Sequence, residues 1–384
     1  STAETVFYTY TPKSIWSMMR SFTAAIVTNT NQKSRWQHFR QSQHLWLSSI
    51  GLGSYLGEAD AETDEAYRQA VKLAAELGCN VFDTAANYRF QRSERSFGQA
   101  LAELFASGAY ERSEIVVTTK GGYLPFDTHP PRSRQEMAQY VEDTFIKPGI
   151  CDWNDFVQGS HCMTPRYLAH QLEQSLRNLQ LECVDVYYLH NPESQLAEVS
   201  SEEFYRRLRA AFEFLETAVA DGKISFYGTA TWNGYRVPAN SREHLSLEQI
   251  EQTARQVAGD PHHFRVVQLP MNLAMPEAFT HANQSYQEKK TTFLETATGL
   301  DITVMASASL LQSRLASGLP AIVKECFTGL ETDAQRALQF TRSTPGLTTA
   351  LVGMSNKTHV EENLSIAKHA PASASEYLKL FSPN

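Results

Sequence analysis

From residue 46 onward, eight short apolar runs alternate with longer amphipathic segments, and this order constrains the fold more than any other feature. The runs are "SSIGLG" (48–53), "NVFD" (80–83), "IVVTTK" (115–120), "VDVYYLH" (184–190), "ISFYG" (224–228), "RVVQLP" (265–270), "ITVMA" (302–306) and "TALVG" (349–353). Each has the length and β-branched content of a buried strand. The segments between them carry helical signals. "DEAYRQAVKLAAELG" (64–78) lines Ala66, Ala70, Leu73, Ala74 and Leu77 on one face and stops at Gly78. "TPRYLAHQLEQSLRNLQ" (164–180) opens on Thr164 as N-cap with Pro165 at the first helical position. Residues 201–223 and 359–369 read as further helices. Strands that alternate with helices pair in parallel through right-handed crossovers. Eight such units predict an α/β fold, a closed (β/α)₈ barrel over 46–384, with residues 1–45 as an N-terminal extension. No GxGxxG follows the first strand, which weakens an open dinucleotide-binding sheet.

Charge and cysteine content exclude several classes. The net charge of −8 argues against a broad nucleic-acid surface. No apolar stretch approaches the roughly 20 residues of a membrane span. Residues 1–50 hold five Lys/Arg against Glu4 alone. The Ser/Thr-rich, acid-poor start reads as an arm packed on the surface, although targeting peptides share that composition. Cys79, Cys151, Cys162, Cys183 and Cys326 form no dense pattern, so reduced thiols and a cytoplasmic setting are expected. Cys79 and Cys183, just before apolar runs, are expected to be buried. Cys151, Asp152, His161 and Cys162 lack metal-ligand spacing, and no metal is expected. One connection is unusually long: residues 121–163 hold only a partial helix, and loops of this length tend to be functional.

Four polar residues fall at or just past strand ends. Asp83 ends the second run, Tyr88 lies in the loop after it, Lys120 ends the third and His190 ends the fourth. Singly, each has an ordinary reading as a cap, a packing ring, a solvated cation or a structural histidine. On consecutive barrel strands their side chains converge at one mouth. There they suit proton delivery to a carbonyl oxygen. A phenol with a pKa of about 10 is a weak acid, and a neighbouring ammonium lowers that value. Asp83 would keep Lys120 charged, Lys120 would activate Tyr88, and His190 would orient the oxygen.

With these residues in place, the chain resembles the aldo-keto reductase superfamily. "FDTAANY…SERSFGQAL" (82–101), "VVTTKGG" (116–122), "VDVYYLHNP" (184–192) and "TALVGMSNKTHVEENL" (349–364) look like its successive signature segments. The resemblance runs from about residue 46 to residue 368 and implies a (β/α)₈ barrel that reduces aldehydes or ketones with NADPH, NADH remaining possible. It implies a catalytic tetrad of Asp83, Tyr88, Lys120 and His190. It implies cofactor contacts at Ser54, Tyr55, Asp83, Thr231 and Gln268, with Gln268 on the nicotinamide amide. Ser307, Gly353, Ser355, Asn356, His359, Glu362 and Asn363 complete that implied set around the last two strands. Tyr55, Tyr88, Tyr123, His190 and Trp232 are the implied substrate contacts.

The chain departs from the family pattern in three places. "GTATW" puts Ala230 and Thr231 where Ser-Asn is frequent. Ser307 stands where a Tyr often stacks on the nicotinamide. Asn356 and His359 stand where Arg or Lys often meets the 2′-phosphate. These departures keep open a second reading, a cofactor-binding, redox-sensing or regulatory barrel with little turnover. Its protein partner would meet the N-terminal arm or the long loop. A membrane-surface version would use residues 14–27, but that segment carries only Arg20 as a basic residue.

Overall fold

The structure, a computed structural model, describes residues 38–382. Reading along the chain, a hairpin of β1 (Phe39–Ser42) and β2 (Leu45–Ser48) comes first, followed by β3 (Ile50–Gly53) and α1 (Ala61–Glu76). Next are β4 (Val81–Asp83), α2 (Arg92–Ala106), β5 (Val116–Gly121), α3 (Arg134–Val141), α4 (Pro165–Leu179) and β6 (Val184–His190). After these lie α5 (Ser201–Ala220), β7 (Ile224–Ala230), α6 (Leu247–Ala258), β8 (Phe264–Pro270) and α7 (Glu277–Thr280). A small antiparallel ribbon of β9 (Gln284–Tyr286) and β10 (Lys289–Thr291) precedes α8 (Phe293–Gly299) and β11 (Thr303–Ser307). The chain ends with α9 (Ala321–Cys326), α10 (Asp333–Ser343), β12 (Thr349–Gly353), α11 (Lys357–Leu364) and α12 (Ala374–Leu378). Eight parallel strands close a barrel in the order β11-β12-β3-β4-β5-β6-β7-β8. All eight are the runs expected from the sequence.

The period of two along each strand sorts the side chains. Val81, Val116, Val186, Tyr188, Val266, Met305 and Leu351 point into the barrel and form one apolar cluster. Leu52, Phe82, Val117, Tyr187, Leu189, Val267 and Val304 point outward into a larger core against the helices. Leu47 of the hairpin joins the inner cluster and closes its lower end. Asn80 ties that closure down, accepting from Ser48 N–H at 2.7 Å and donating to Trp46 C=O at 2.8 Å.

Helix boundaries follow local capping. Asp60 caps α1 by accepting from Thr63 N–H at 2.8 Å, which starts the helix before residue 64. Ser200 caps α5, which ends at Ala220 ahead of the turn at Gly222. Thr164 precedes α4 without a side-chain cap bond, so Pro165 marks the start through its fixed φ alone. In the long connection, α3 runs into a π-helical turn, Glu142–Ile146. Leu124, Val141, Phe145, Phe156 and Cys162 there build a small core of their own with Tyr167 of α4. Cys79 is buried as expected, whereas Cys183 is half-buried. Among the described residues, no helix is long and apolar enough to cross a membrane, and no group of three His, Cys, Asp or Glu is placed to hold a metal. The segment 14–27 and most of the expected extension lie outside the described residues.

Candidate active site

The same alternation that fills the barrel with valines ends in polar groups at its upper mouth. Two residues past Val81 comes Asp83; four past Val116 comes Lys120, with Thr118 between. Four past Val186 comes His190, and two past Val266 comes Gln268. Each polar residue therefore inherits the inward direction of the apolar residue below it.

Asp83 and Lys120 are 3% and 1% exposed, and buried charges are tolerable only when paired and hydrogen-bonded. That condition is met. Lys120 Nζ donates to Asp83 Oδ2 at 2.7 Å and to the Thr84 carbonyl at 2.9 Å. Asp83 Oδ1 accepts from Thr118 Oγ1 at 2.6 Å and from Gln268 Nε2 at 2.9 Å. The ammonium lies 4.8 Å from the centroid of the Tyr88 ring. Tyr88 in turn meets Tyr55 at 5.3 Å and His190 at 5.9 Å, both edge to face. The four groups expected from the sequence are thus together.

Local backbone fixes Tyr88. The next three residues, Arg89, Phe90 and Gln91, all have positive φ, at 50°, 57° and 70°. Left-handed backbone at non-glycine residues is costly and survives where surroundings hold it. Arg89 supplies the hold, with its guanidinium on Asp64 Oδ1 at 2.6 Å and on the Glu58 carbonyl at 2.7 Å. Gln91 adds a bond to the Phe126 carbonyl at 2.5 Å.

The electrostatics differ in one respect from expectation. Burial pushes the Tyr88 phenol upward, and the opposing pull of Lys120 does not bring it below its ordinary value. Desolvation outweighs the cation. Burial would depress Lys120, but Asp83 and Tyr88 hold it above its usual value and therefore charged. Burial, with Lys120 next, drives His190 well below its ordinary range, so its imidazole is neutral.

These groups sit in a cavity of about 450 Å³. Ser54, Tyr55, Tyr123, Thr231, Trp232 and Gln268 line it as expected, as do Ser307 and Gly353. Ser54 is buried, its hydroxyl spent on the Asp83 carbonyl at 3.0 Å. Tyr55 and Trp232 stand 59% and 45% exposed at the rim, which leaves both free to cover a guest. The stretch after β12 behaves differently: Ser355, Asn356, His359, Glu362 and Asn363 are not among the lining residues. Asn356 caps α11, accepting from Thr358 N–H at 2.8 Å. Asn363 is buried, its side-chain oxygen without a partner among the described residues, and His359 is exposed. Residues 308–313 form one wall of the cavity and went unmarked by the sequence reading. Positive φ at Ala308, Leu311, Gln312 and Ser313 bends this segment over the mouth, and no periodic signal foretells such a turn.

Comparison with known proteins bears on this geometry. The model of the Aldo/keto reductase family matches residues 49–317. The chain belongs to the aldo/keto reductase family. A "Putative voltage-gated potassium channel subunit beta" of Schizosaccharomyces pombe is 24% identical, covering 93% of this chain and 95% of that protein. An aldo/keto reductase from Klebsiella pneumoniae, solved in complex with NADP and acetate, aligns with TM-score 0.59 at 22% identity over 91% of this chain and 96% of its own. A glycerol dehydrogenase from Gluconobacter oxydans aligns with TM-score 0.60 at 18% identity over 91% and 94%. At these identities the aldo/keto reductase structures establish the shared barrel.

Proposed function

We propose that this aldo/keto reductase reduces an aldehyde or ketone to an alcohol with NADPH, or with NADH in its place. The observation that carries the reading is the Lys120 ammonium, clamped by Asp83 and the Thr84 carbonyl, set beside the Tyr88 ring and open to a cavity. The walls suit a nicotinamide cofactor. Among the described residues the buried Thr231 hydroxyl has no partner, next to the strand that carries Gln268, and Gly353 leaves the far side of the mouth without a side chain. Gln268 and Thr231 would hold the carboxamide end. Ser307 and residues 308–313 would flank the middle, and the β12–α11 turn would take the adenine end. The Klebsiella structure named above contains NADP, which supports the choice. When bound, the cofactor supplies a hydride to the carbonyl carbon.

The chain's own groups handle the proton. Tyr88, protonated because burial holds its pKa up, gives its proton to the carbonyl oxygen as charge develops there. Lys120 stabilises the phenolate left behind, and Asp83 keeps Lys120 charged and in place. His190, neutral, offers an N–H to the same oxygen without competing for the proton. Tyr55, Trp232 and Tyr123 around the opening favour an apolar or ring-bearing substrate.

A second reading has two observations behind it. Ser307 cannot stack on a nicotinamide, and a relative across most of the chain is named a putative channel β subunit. A cofactor-bound barrel that turns over little and reports redox state to a protein partner fits both. The two readings separate in one assay. Purified protein is mixed with NADPH or NADH and a panel of aldehydes and ketones while absorbance is followed, and dissociation constants for both cofactors are measured alongside. Turnover supports the reductase. Tight cofactor binding without turnover on any carbonyl supports the second reading.

A further inference from the structure

His190 raises a question of positioning. Its ring is flanked by ring edges, Tyr88 at 5.9 Å and Tyr123 at 5.0 Å, and no hydrogen bond to the ring is found among the described residues. Elsewhere in the site each charged group is fixed by two or more bonds of 2.6–2.9 Å. Something other than a side-chain partner must therefore aim this imidazole.

The long connection after β5 provides it. His161, near the end of that connection and 2% exposed, reaches across to β6 and bonds the His190 carbonyl through Nε2 at 2.7 Å. A carbonyl only accepts, so Nε2 carries the hydrogen and Nδ1 is left to accept. Nδ1 meets Gln195 Nε2 at 2.8 Å. Gln195 Oε1 accepts from Arg207 at 2.6 Å, and because a guanidinium only donates, the amide orientation is fixed. The chain of bonds runs one way, from Arg207 of α5 through Gln195 and His161 to the backbone of the last residue of β6. Burial keeps His161 neutral, lowering its pKa to about 4.

The space around this link is closed. Gly122 has φ +140°, and a β-carbon there would stand 2.9 Å from His161 Nε2 and 3.2 Å from the His190 carbonyl oxygen. Tyr123 wedges its ring between the two imidazoles, 5.0 Å from each. Asn191, next after His190, sits at φ 45° with its N–H on the Ala230 carbonyl at 2.7 Å. The peptide that follows the His190 Cα is thus gripped from both sides.

Resting on the reductase reading above, we propose that His161 is a positioning residue for the reaction: by holding the His190 carbonyl it sets the direction of the His190 imidazole toward the substrate oxygen. The long connection is then part of the catalytic apparatus through one bond and not only a border of the substrate pocket.

The test is a double-mutant cycle in the full chain. His161→Phe removes the bond while filling the space, and His161→Gln retains a donor near the position of Nε2. Expected results are a fall in kcat of roughly 10- to 100-fold for His161→Phe, the scale of a small misplacement in an active site, with the NADPH dissociation constant unchanged. His161→Gln should recover a large part of that loss. In a His190→Ala background, His161→Phe should cost nothing further. Equal losses in both backgrounds, or an unchanged kcat, would overturn the proposal. Should His161→Phe not fold, Gln195→Leu loosens the same ring from behind and is read by the same cycle. If the wild-type protein turns over no carbonyl, the reductase reading falls by itself, and positioning is then read from ring signals of ¹⁵N-labelled histidine. Displaced His190 signals in His161→Phe support the link, and unmoved signals refute it.

Discussion

Asp83, Lys120 and Gln268 stand on strands and meet within one layer of the barrel, whereas Tyr123, His161 and Glu193 stand on loops. The loop residues are held by bonds that span tens of residues. In the first group the pleat has already aimed each side chain, and short bonds between neighbouring strands complete the geometry. In the second, direction comes from the bonds themselves, each of which must be made separately. Damage to the strand-borne layer should therefore remove chemistry, and damage to the loop-borne rim should misalign it.

The largest effect is expected at the acid. Tyr88→Phe keeps the ring contacts with Tyr55 and His190 but removes the proton, and kcat/KM should fall by about 10²–10⁴-fold in steady-state assays. Equal rates would remove Tyr88 from the acid role. Lys120→Met comes next. It leaves Asp83 charged and buried without its cation, so denaturant melts should show a loss of about 3–5 kcal/mol along with activity. Adding Asp83→Asn should restore much of the stability and none of the turnover, since Thr118 and Gln268 still bond the amide. A single variant that loses activity but no stability would mean that the pair is less deeply desolvated than its exposure indicates.

Two glycines sharpen the contrast between strand and loop. Gly53 ends β3 at the mouth, and a β-carbon there would meet its nearest neighbour at an ordinary 3.8 Å. Gly122 begins the long connection with positive φ and no room beside His161. Gly122→Ala should cost about 1–3 kcal/mol in thermal or denaturant melts, the range for strained backbone, and Gly53→Ala well under 1 kcal/mol. A reversed order would mean that the rim yields more easily than the barrel.

The same division decides how much the sequence could reveal. Val116, Thr118 and Lys120, or Val186, Tyr188 and His190, show strand, facing and site residue in one short stretch, because burial below and polarity above are written with the same period. The eight strands and the convergence of Asp83, Lys120 and His190 follow from that, with Tyr88 brought close by its place in the loop after β4. The His161–His190 bond has no such mark, since it joins a loop residue to a strand end 29 residues away through a backbone carbonyl. Nor does the left-handed run Arg89–Gln91, which depends on Asp64 and on a carbonyl of Phe126. The hairpin at 39–48 also escaped notice. Its role depends on Leu47 completing a barrel interior that exists only after closure. The direction of the Tyr88 shift turned on how far burial would outweigh a cation, a quantity set by packing and not by residue type.

Glu193 offers the cleanest probe of the rim. It is 4% exposed, on the turn after β6, and Oε2 accepts from Gly234 N–H at 2.5 Å and Asn233 N–H at 3.2 Å. Those bonds hold the loop that carries Trp232. Oε1 is buried and has no partner among the described residues. Burial raises its pKa to about 7, only partly offset by the two N–H groups. A carboxyl raised on folding binds its proton more tightly in the native state. Its contribution is full below about pH 4.5 and is lost as pH climbs to about 7. In Glu193→Gln, one acceptor for Gly234 survives and the titration disappears. The variant should therefore gain stability relative to wild type between about pH 4.5 and 7, by ~3 kcal/mol at most, and the difference should be flat above that range. Urea melts across the window read this directly. A difference independent of pH would place the unpartnered oxygen in contact with solvent, and the Trp232 loop would then be more open than the strand-borne layer beneath it.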